Sequence, residues 1–266
     1  MKNIFSGRFN MFEKLPELKS KPKLESVNPL KSEHLKQGVR PIMACVGTVE
    51  QFIEEDKDLE DPLLNIRNKF SNPNNIDYYG QHEELINQGF KNAKYQSYVI
   101  SSLDNSDKFS KSFKNCTGII VTGISKDTNE NISFLSHQDP RYFLVNRKKK
   151  KSFLEDLKEQ LISLKEVSIK GTIDAVIVGG NYFKEEWAGK YRRDYLNSIK
   201  LLSTEVKNVL GFEPVVTVGP KTIKGRADDI FYDNNNRRLY IIRPEVDSPS
   251  AESFLPKDIK KQAKKW

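Results

Sequence analysis

Apolar residues follow regular patterns in the second half of the chain, from about residue 95 onward. Short apolar runs bounded by turn-forming residues predict strands at 95–100, 116–121, 132–136, 174–178, 214–218, 229–232 and 238–242. Apolar residues at spacings of three and four predict two amphipathic helices, one over 153–164 and one over 184–209. A lysine run at 148–151 is interpreted as a solvated segment that leads into the first helix. The pattern therefore predicts one mixed α and β domain spanning residues 95–243.

The chain on either side of this domain is less regular. Residues 1–40 mix Lys, Pro and Ser without periodicity, which predicts a flexible basic arm. Residues 41–94 form an N-terminal extension of uncertain structure, with a short strand predicted at 42–46. Residues 244–266 contain Pro and many Lys and are expected to form a peripheral C-terminal tail.

Composition changes this picture only a little. The hydrophobic fraction of the 266 residues is 37%, which is low for a compact protein of this size and fits a polar segment beside a normal core. The net charge of +8 permits contact with nucleic acid but does not require it. Since the lysines are scattered and not interleaved with aromatic residues, no nucleic-acid partner is expected.

The few cysteines and histidines restrict both the compartment and the chemistry. Two Cys rule out a disulfide framework and suggest a reducing compartment, and with three His they form no credible metal site. No cofactor is implied. The chain shows neither a signal peptide nor a membrane span. We expect a cytoplasmic protein, or one secreted without a cleaved signal peptide into a host cytosol; its oligomeric state is left open.

One cysteine and one histidine are placed where a hairpin would join them. Cys116 begins the strand predicted at 116–121, and His137 directly follows the strand predicted at 132–136. A polar turn between two antiparallel strands brings the start of the first beside the end of the second. A neighbouring thiol and imidazole are the minimum requirement for a nucleophilic thiol hydrolase. By themselves, however, a cysteine at a strand start more often fills a core, and a lone histidine is more often a surface or turn residue.

Other possible sites are weaker. Cys45 and His82 form a second pair, but their interval is long and poorly patterned. Gly179 and Gly180 indicate first a tight turn, and they lack the G-x-G-x-x-G context of a dinucleotide site. The Cys116–His137 pair therefore remains the main candidate.

The order of these elements resembles the CheD family of chemoreceptor glutamine deamidases, whose cysteine-hydrolase core is shared with cytotoxic-necrotizing-factor-type toxins. In such proteins a strand starts at the catalytic cysteine, and the histidine arrives on the next strand before a turn that often carries Pro. The residues that match, in the family's order, are Cys116, His137-Gln138-Asp139-Pro140, Gly179-Gly180-Asn181, Asn197, Val218-Gly219, Gly225-Arg226 and Phe231-Tyr232-Asp233. The approach to the cysteine departs from the family, because Phe113-Lys114-Asn115 replaces its usual Leu-Gly-Ser.

The resemblance implies a fold and a set of site residues. The fold would be α+β, with mixed β-sheets forming a sandwich flanked by helices: a CheD-like cysteine hydrolase core with an N-terminal extension. The catalytic residues would be Cys116, His137 and Ser110, the last at the place where the family commonly has Thr. Rivals for the third place are Ser136, Gln138 and Asp139. Residues expected to line the cleft are Asn115, Thr117, Ser136, Gln138, Gly179, Gly180 and Asn181.

The function that the resemblance implies is protein glutamine deamidation. The substrate would be a folded protein carrying a target glutamine, and a bacterial effector or toxin acting on a host protein fits the added N-terminal residues. Two alternatives stay open. One is a non-catalytic protein-binding module on the same fold, which the altered approach to Cys116 favours. The other is a transglutaminase or thiol protease that uses the same Cys–His pair.

Overall fold

A computed structural model of the protein describes residues 23–26, 41–60, 75–76, 98–113, 115–144, 147–181, 189–219 and 227–243. The C-terminal tail and most of the N-terminal arm lie outside these residues. The described strands are β1 (Lys23–Ser26), β2 (Met43–Gly47), β3 (Asn75–Ile76), β4 (Tyr98–Ile100), β5 (Lys108–Phe113), β6 (Thr117–Ile124), β7 (Asn131–Gln138), β8 (Asp174–Asn181), β9 (Val215–Gly219), β10 (Asp228–Asp233) and β11 (Arg238–Ile242). The described helices are α1 (Val49–Glu55), α2 (Pro140–Phe143), α3 (Arg147–Val167) and α4 (Gly189–Leu210), with a 3-10 turn at Lys57–Leu59.

The strands form two mixed sheets. The order in the first sheet is β1-β2-β11-β10-β5-β3, and the order in the second is β4-β7-β6-β8-β9. Strand β11 runs parallel to β2, and β8 runs parallel to β9, whereas β6 is antiparallel to both of its neighbours. The α+β class expected from the sequence is therefore confirmed.

Side-chain alternation along the strands builds two cores, one on each face of the second sheet. Cys116, immediately before β6, and Ile120 on β6 join residues of both sheets in a core between them. Ile119 and Val121, on the opposite face, pack with the apolar sides of α3 and α4. This is the period-two pattern of a sheet that is buried on both faces. The second sheet is thus the central layer, between the first sheet and the helices.

Buried side chains from the turn between β10 and β11 join the two sheets at the end where β7 begins. The Asn234 side-chain amide donates hydrogen bonds to the carbonyl oxygens of Asn105 (2.9 Å) and Asn131 (2.6 Å). The Arg237 guanidinium donates to Asn131 Oδ1 (2.9 Å) and to Thr172 O (2.9 Å). Since Asn131 begins β7 and His137 lies near its end, these bonds hold the sheets together at the end remote from His137.

The structure differs from the sequence-based expectation in three places. The lysines at 148–151, expected to form a solvated lead-in, belong to α3, because lysine is a good helix former. Strand β5 was not predicted. Strand β1 lies within the expected flexible arm, and β2 from the N-terminal extension pairs with β11, so the first sheet includes strands from before residue 95. Among the described residues, no helix is long and apolar enough to cross a membrane.

Candidate active site

Cys116 lies immediately before β6, on the face of the second sheet that meets the first sheet. Its side chain is fully buried in the core between the sheets. The Gly180 N–H donates a hydrogen bond to the Cys116 carbonyl oxygen (3.0 Å), which ties the residue before β6 to the end of β8. The backbone that carries the thiol is therefore held from the neighbouring strand.

His137 lies on β7, directly opposite Gly118 in the β6–β7 pairing. This register is the hairpin expected from the sequence, so the hairpin is confirmed. Cys116 is two residues before Gly118 and is therefore the diagonal neighbour of His137 on the same face of the sheet. The thiol and the imidazole are both fully buried.

The first sheet supplies two contacts to the His137 ring, both from β5. Ser110 Oγ lies 2.8 Å from His137 Nδ1. The Phe113 ring stacks on the imidazole, with centroids 3.9 Å apart and an angle of 15° between the planes. A side chain bonded to Nδ1 and a ring packed on the face fix the orientation of the imidazole, and Nε2, which is also buried, is left at the other end of the ring.

A bulge in β5 allows both side chains to reach the same histidine. Ser110 and Phe113 are three residues apart, and in a regular strand they would point to opposite faces. On the neighbouring strand, Ser110 pairs with Ile230 and Phe113 pairs with Asp228, so two residues of β5 stand where β10 has only Asp229. The extra residue in β5 turns Phe113 back toward the inner face.

Burial determines the protonation states of the pair. Burial raises the pKa of the Cys116 thiol well above its usual range; the negative charge of Asp139 raises it further, and the positive charge of Arg141 partly opposes this. Burial also lowers the pKa of His137 to about 3. At neutral pH this conformation therefore holds a neutral thiol beside a neutral imidazole.

Gly118 is the residue that the Phe113–His137 stack requires. A Cβ added at position 118 would lie 2.2 Å from the Ser136 carbonyl oxygen and 3.0 Å from the Phe113 ring. We expect Gly118→Ala to lower the free energy of unfolding by about 1–3 kcal/mol, as overpacking of a core typically does. Urea denaturation measures this loss. Gly189→Ala is the matched control, since a Cβ there meets nothing within 4 Å; equal stabilities of the two variants would show that the close approach at Gly118 is unimportant.

Three of the residues expected to line the cleft face the helices instead. Ser136 Oγ donates to Gln138 Oε1 (3.0 Å), and Gln138 Nε2 donates to Thr117 Oγ1 (3.2 Å). Thr117 Oγ1 also lies 2.5 Å from Ser198 Oγ on α4. These side chains are buried on the opposite face of the second sheet from Cys116 and His137. The structure therefore does not bring them to the thiol, and they form a polar network that attaches α4 to the hairpin.

The remaining expected residues lie close to Cys116 along the backbone. Asn115 precedes it and is 8% exposed. Gly179 pairs with Thr117 across β6 and β8, and Gly180 provides the hydrogen bond to the Cys116 carbonyl. Asn181 ends β8, and its side chain is outside the described part.

Asp139, another candidate for the third catalytic residue, interacts with Arg141. Its carboxylate accepts hydrogen bonds from the Arg141 backbone N–H (2.9 Å) and from Arg141 Nε (3.0 Å), so it caps α2 and pairs with the guanidinium. With Ser136 and Gln138 facing α4, Ser110 is the one of the four candidates seen in contact with the imidazole.

Sequence reasoning missed Phe113 and a buried ion pair close to it. Asp228, which pairs with Phe113 across β5 and β10, lies 3.7 Å from Arg243 Nε, and both side chains are buried. Phe113 stacks on His137 only because of the bulge in β5, and the bulge cannot be predicted from the pattern of apolar residues. The presence of Arg directly after β11 was the available signal for the ion pair, because a charge at the end of a buried strand needs a partner.

Cys45 occupies a separate site. It lies on β2 in a cluster on the outer face of the first sheet, and its suggested partner His82 lies outside the described residues. Burial raises the pKa of the Cys45 thiol to about 11. Within the described ranges, no group of three or more His, Cys, Asp and Glu side chains is placed to hold a metal ion.

Sequence comparisons identify no relative of this chain. No model of a known protein family matches it, and no curated protein is significantly similar to it.

Proposed function

We propose that this protein is a cysteine-dependent protein glutamine deamidase, which converts a glutamine side chain of a folded protein to glutamate and releases ammonia. The observation that supports the proposal most is the placement of His137 between Ser110 and the strand that carries Cys116. A thiol, a neutral imidazole and a hydroxyl on Nδ1 are the groups that acyl transfer from an amide requires. The similarity in element order to the CheD family points to the same reaction.

The first half of the reaction transfers the acyl group to the thiol. When Nδ1 carries the ring proton and donates a hydrogen bond to Ser110 Oγ, the Nε2 lone pair is available as a base. Cys116 Sγ attacks the side-chain carbonyl carbon of glutamine while its proton moves to Nε2. The imidazolium then gives that proton to the amide nitrogen, the C–N bond breaks, and ammonia leaves a thioester behind.

The second half of the reaction regenerates the enzyme. Water attacks the thioester and loses a proton to Nε2, and the C–S bond breaks. The products are a glutamate side chain and the Cys116 thiol, which takes back the proton from the imidazolium. In both halves, backbone N–H groups beside Cys116 would stabilise the oxyanion; removing one such donor in other enzymes costs about 10²–10³ in rate.

Burial of both groups has a mechanistic consequence. The thiol is fully buried and its pKa is raised, so it is unreactive until a substrate side chain enters between the sheets. A substrate amide that replaces the surrounding side chains would meet the thiol and the base together in a site without bulk water. We infer that entry of the substrate, which would change this buried environment, controls reactivity.

Ser110 supports a prediction of moderate size. We expect Ser110→Ala to lower the rate constant for deamidation about tenfold, the usual value of one hydrogen bond, because the imidazole loses the group that selects its tautomer. Ser110→Thr keeps the hydroxyl and is expected to retain most of the activity. Stopped assays of ammonia release measure both. A threonine variant as slow as the alanine variant, with unchanged stability, would rule out this role for the hydroxyl.

The alternative of a non-catalytic binding module is favoured by one observation, the complete burial of Cys116, which is typical of a core cysteine. The two functions are separated by incubating a cell lysate with the wild type or with Cys116→Ala and searching its proteins by mass spectrometry for Gln-to-Glu conversion. A deamidase converts specific glutamines only when Cys116 is present. Identical lysates would overturn the proposal. Incorporation of an added amine would indicate a transglutaminase, and new peptide termini a thiol protease.

A further inference from the structure

A groove on the helical face of the protein lies between α3 and α4. Its volume is about 630 Å³. Leu144, Leu154 and Leu201 give it an apolar floor, and Lys150, Lys190 and Lys200 bring positive charge to its walls. A second concavity of about 420 Å³ shares Lys150 and Leu154 and extends the basic wall along α3 with Arg147, Lys151 and Lys158.

Each of the two helices that form the groove carries cations in its first turn, which is the electrostatically unfavourable end of a helix. Both first turns contain basic residues and no acidic ones. The N-terminus of a helix is the positive end of its dipole, where cations destabilise and anions stabilise. Lys165 Nζ lies 2.6 Å from the Val209 carbonyl oxygen, which joins the C-terminal ends of the helices, so the helices run parallel and both positive ends lie at the Lys150–Lys190 end of the groove. Bound carboxylates would relieve this charge.

We propose that this groove is a docking site for an acidic amphipathic helix of a partner protein. Leucine side chains on one face of such a helix would pack on the apolar floor, and glutamate or aspartate side chains along its edges would meet the lysines. Charge complementarity and the shape of a groove between two parallel helices both fit this occupant. The site is separate from Cys116, and docking there does not require the proposed chemistry.

The groove fits a protein segment better than it fits a nucleic acid or an anionic membrane. The apolar floor of Leu144, Leu154 and Leu201 would contact the leucines of an amphipathic helix, whereas phosphates offer it no apolar partner. Asp194 and Glu205 also line the groove, so its positive charge is confined to the lysines. Asp194 Oδ2 is buried and has no hydrogen-bond donor among the described residues. A hydroxyl or amide side chain of a docked protein segment would supply a donor for this oxygen. Among the described residues that line the groove, none is aromatic.

The test is fluorescence anisotropy of the full-length protein with a labelled synthetic helix of about 18 residues, built from Leu, Ala and Glu with the leucines on one face. We expect this peptide to bind at least about tenfold more tightly than a scrambled peptide of the same composition, and more weakly as salt rises. The double variant Lys150→Glu/Lys190→Glu is expected to weaken binding by about tenfold or more. Cys116→Ala should bind as the wild type does.

A loss of binding by the double variant should not result from unfolding. Glutamates in the first turns interact favourably with the helix dipole, so its melting temperature should not fall. The double variant Lys57→Glu/Lys170→Glu makes the same change of charge at two exposed residues outside the groove and is the matched control. Equal binding of the amphipathic and scrambled peptides, or equal binding by Lys150→Glu/Lys190→Glu and the wild type, would overturn the inference. So would tighter binding of a single-stranded oligonucleotide or of anionic vesicles than of the peptide.

Discussion

Cys116→Ala is expected to reduce ammonia release from a protein substrate to the background rate, and His137→Gln is expected to reduce it by about 10²–10⁴-fold. In the proposed mechanism the thiol forms the covalent intermediate, so no other group replaces it. In the same mechanism the imidazole acts as base and then as acid on one proton, and glutamine can do neither. Rates are measured as ammonia released from the substrate that the lysate experiment identifies.

The double variant strengthens this prediction. Because the two groups act as one unit, Cys116→Ala/His137→Gln should be no slower than Cys116→Ala alone. Cys45→Ala is the control for the loss of a buried thiol, since Cys45 packs in a different cluster, on the outer face of the first sheet. Substantial deamidation by Cys116→Ala, or a loss of the same size in Cys45→Ala, would remove Cys116 from the mechanism.

The second large effect is acid destabilisation through His137. The folded protein holds the pKa of His137 at about 3, whereas an unfolded chain has an ordinary histidine near 6.5. Between these values the unfolded state binds the proton and the folded state does not, so stability is highest above about pH 6.5 and falls as the pH drops toward 3. Each pKa unit corresponds to about 1.4 kcal/mol, so the loss between pH 6.5 and 5 should be about 2 kcal/mol, with a total on the order of 4–5 kcal/mol.

This prediction is measured by urea denaturation at pH 7 and pH 5 for the wild type and His137→Gln. The variant should lose about 2 kcal/mol less than the wild type over this interval. Asp104 does not affect this interval. Burial would raise its pKa, but hydrogen bonds from Lys108, Ser102 and Ser106 outweigh burial and lower the pKa to about 2. The contribution of Asp104 to the free energy of unfolding is therefore lost only between about pH 4 and pH 2. Equal pH dependence of the two proteins, with NMR signals of the His137 ring that titrate near pH 6.5, would contradict the assigned environment.

Much of the second sheet could be predicted from the sequence, because its strands are apolar runs separated by turn residues. The polar turn between 124 and 131 also determines which ends of β6 and β7 meet, so the Cys116–His137 neighbourhood follows from local information. The helical face of α4 was equally clear from the spacing of its apolar residues. These features depend on interactions between residues that are close in the chain.

The first sheet could not be predicted in the same way. Strand β5 has the sequence Lys-Phe-Ser-Lys-Ser-Phe, and Lys108 is fully buried because it forms an ion pair with Asp104. From sequence alone, a lysine is predicted to be exposed to solvent unless the partner of its charge is known. The pairing of β2 with β11 joins residues from the two ends of the chain, and only tertiary packing can select it. Ser110 was identified as a candidate through a family resemblance. The contact of Phe113 with His137 could not be predicted, because it depends on the bulge in β5.

The most direct test of the proposed nucleophile is covalent trapping with a peptide in which a diazoketone analogue replaces the glutamine side chain, followed by mass spectrometry of the modified cysteines. Cys45 serves as an internal reference in the same molecule. If Cys116 is the nucleophile and His137 its acid and base, the adduct forms on Cys116 and not on Cys45, and it is lost in His137→Gln. Absence of an adduct on Cys116, or equal labelling of both cysteines with and without His137, would contradict the proposed active site.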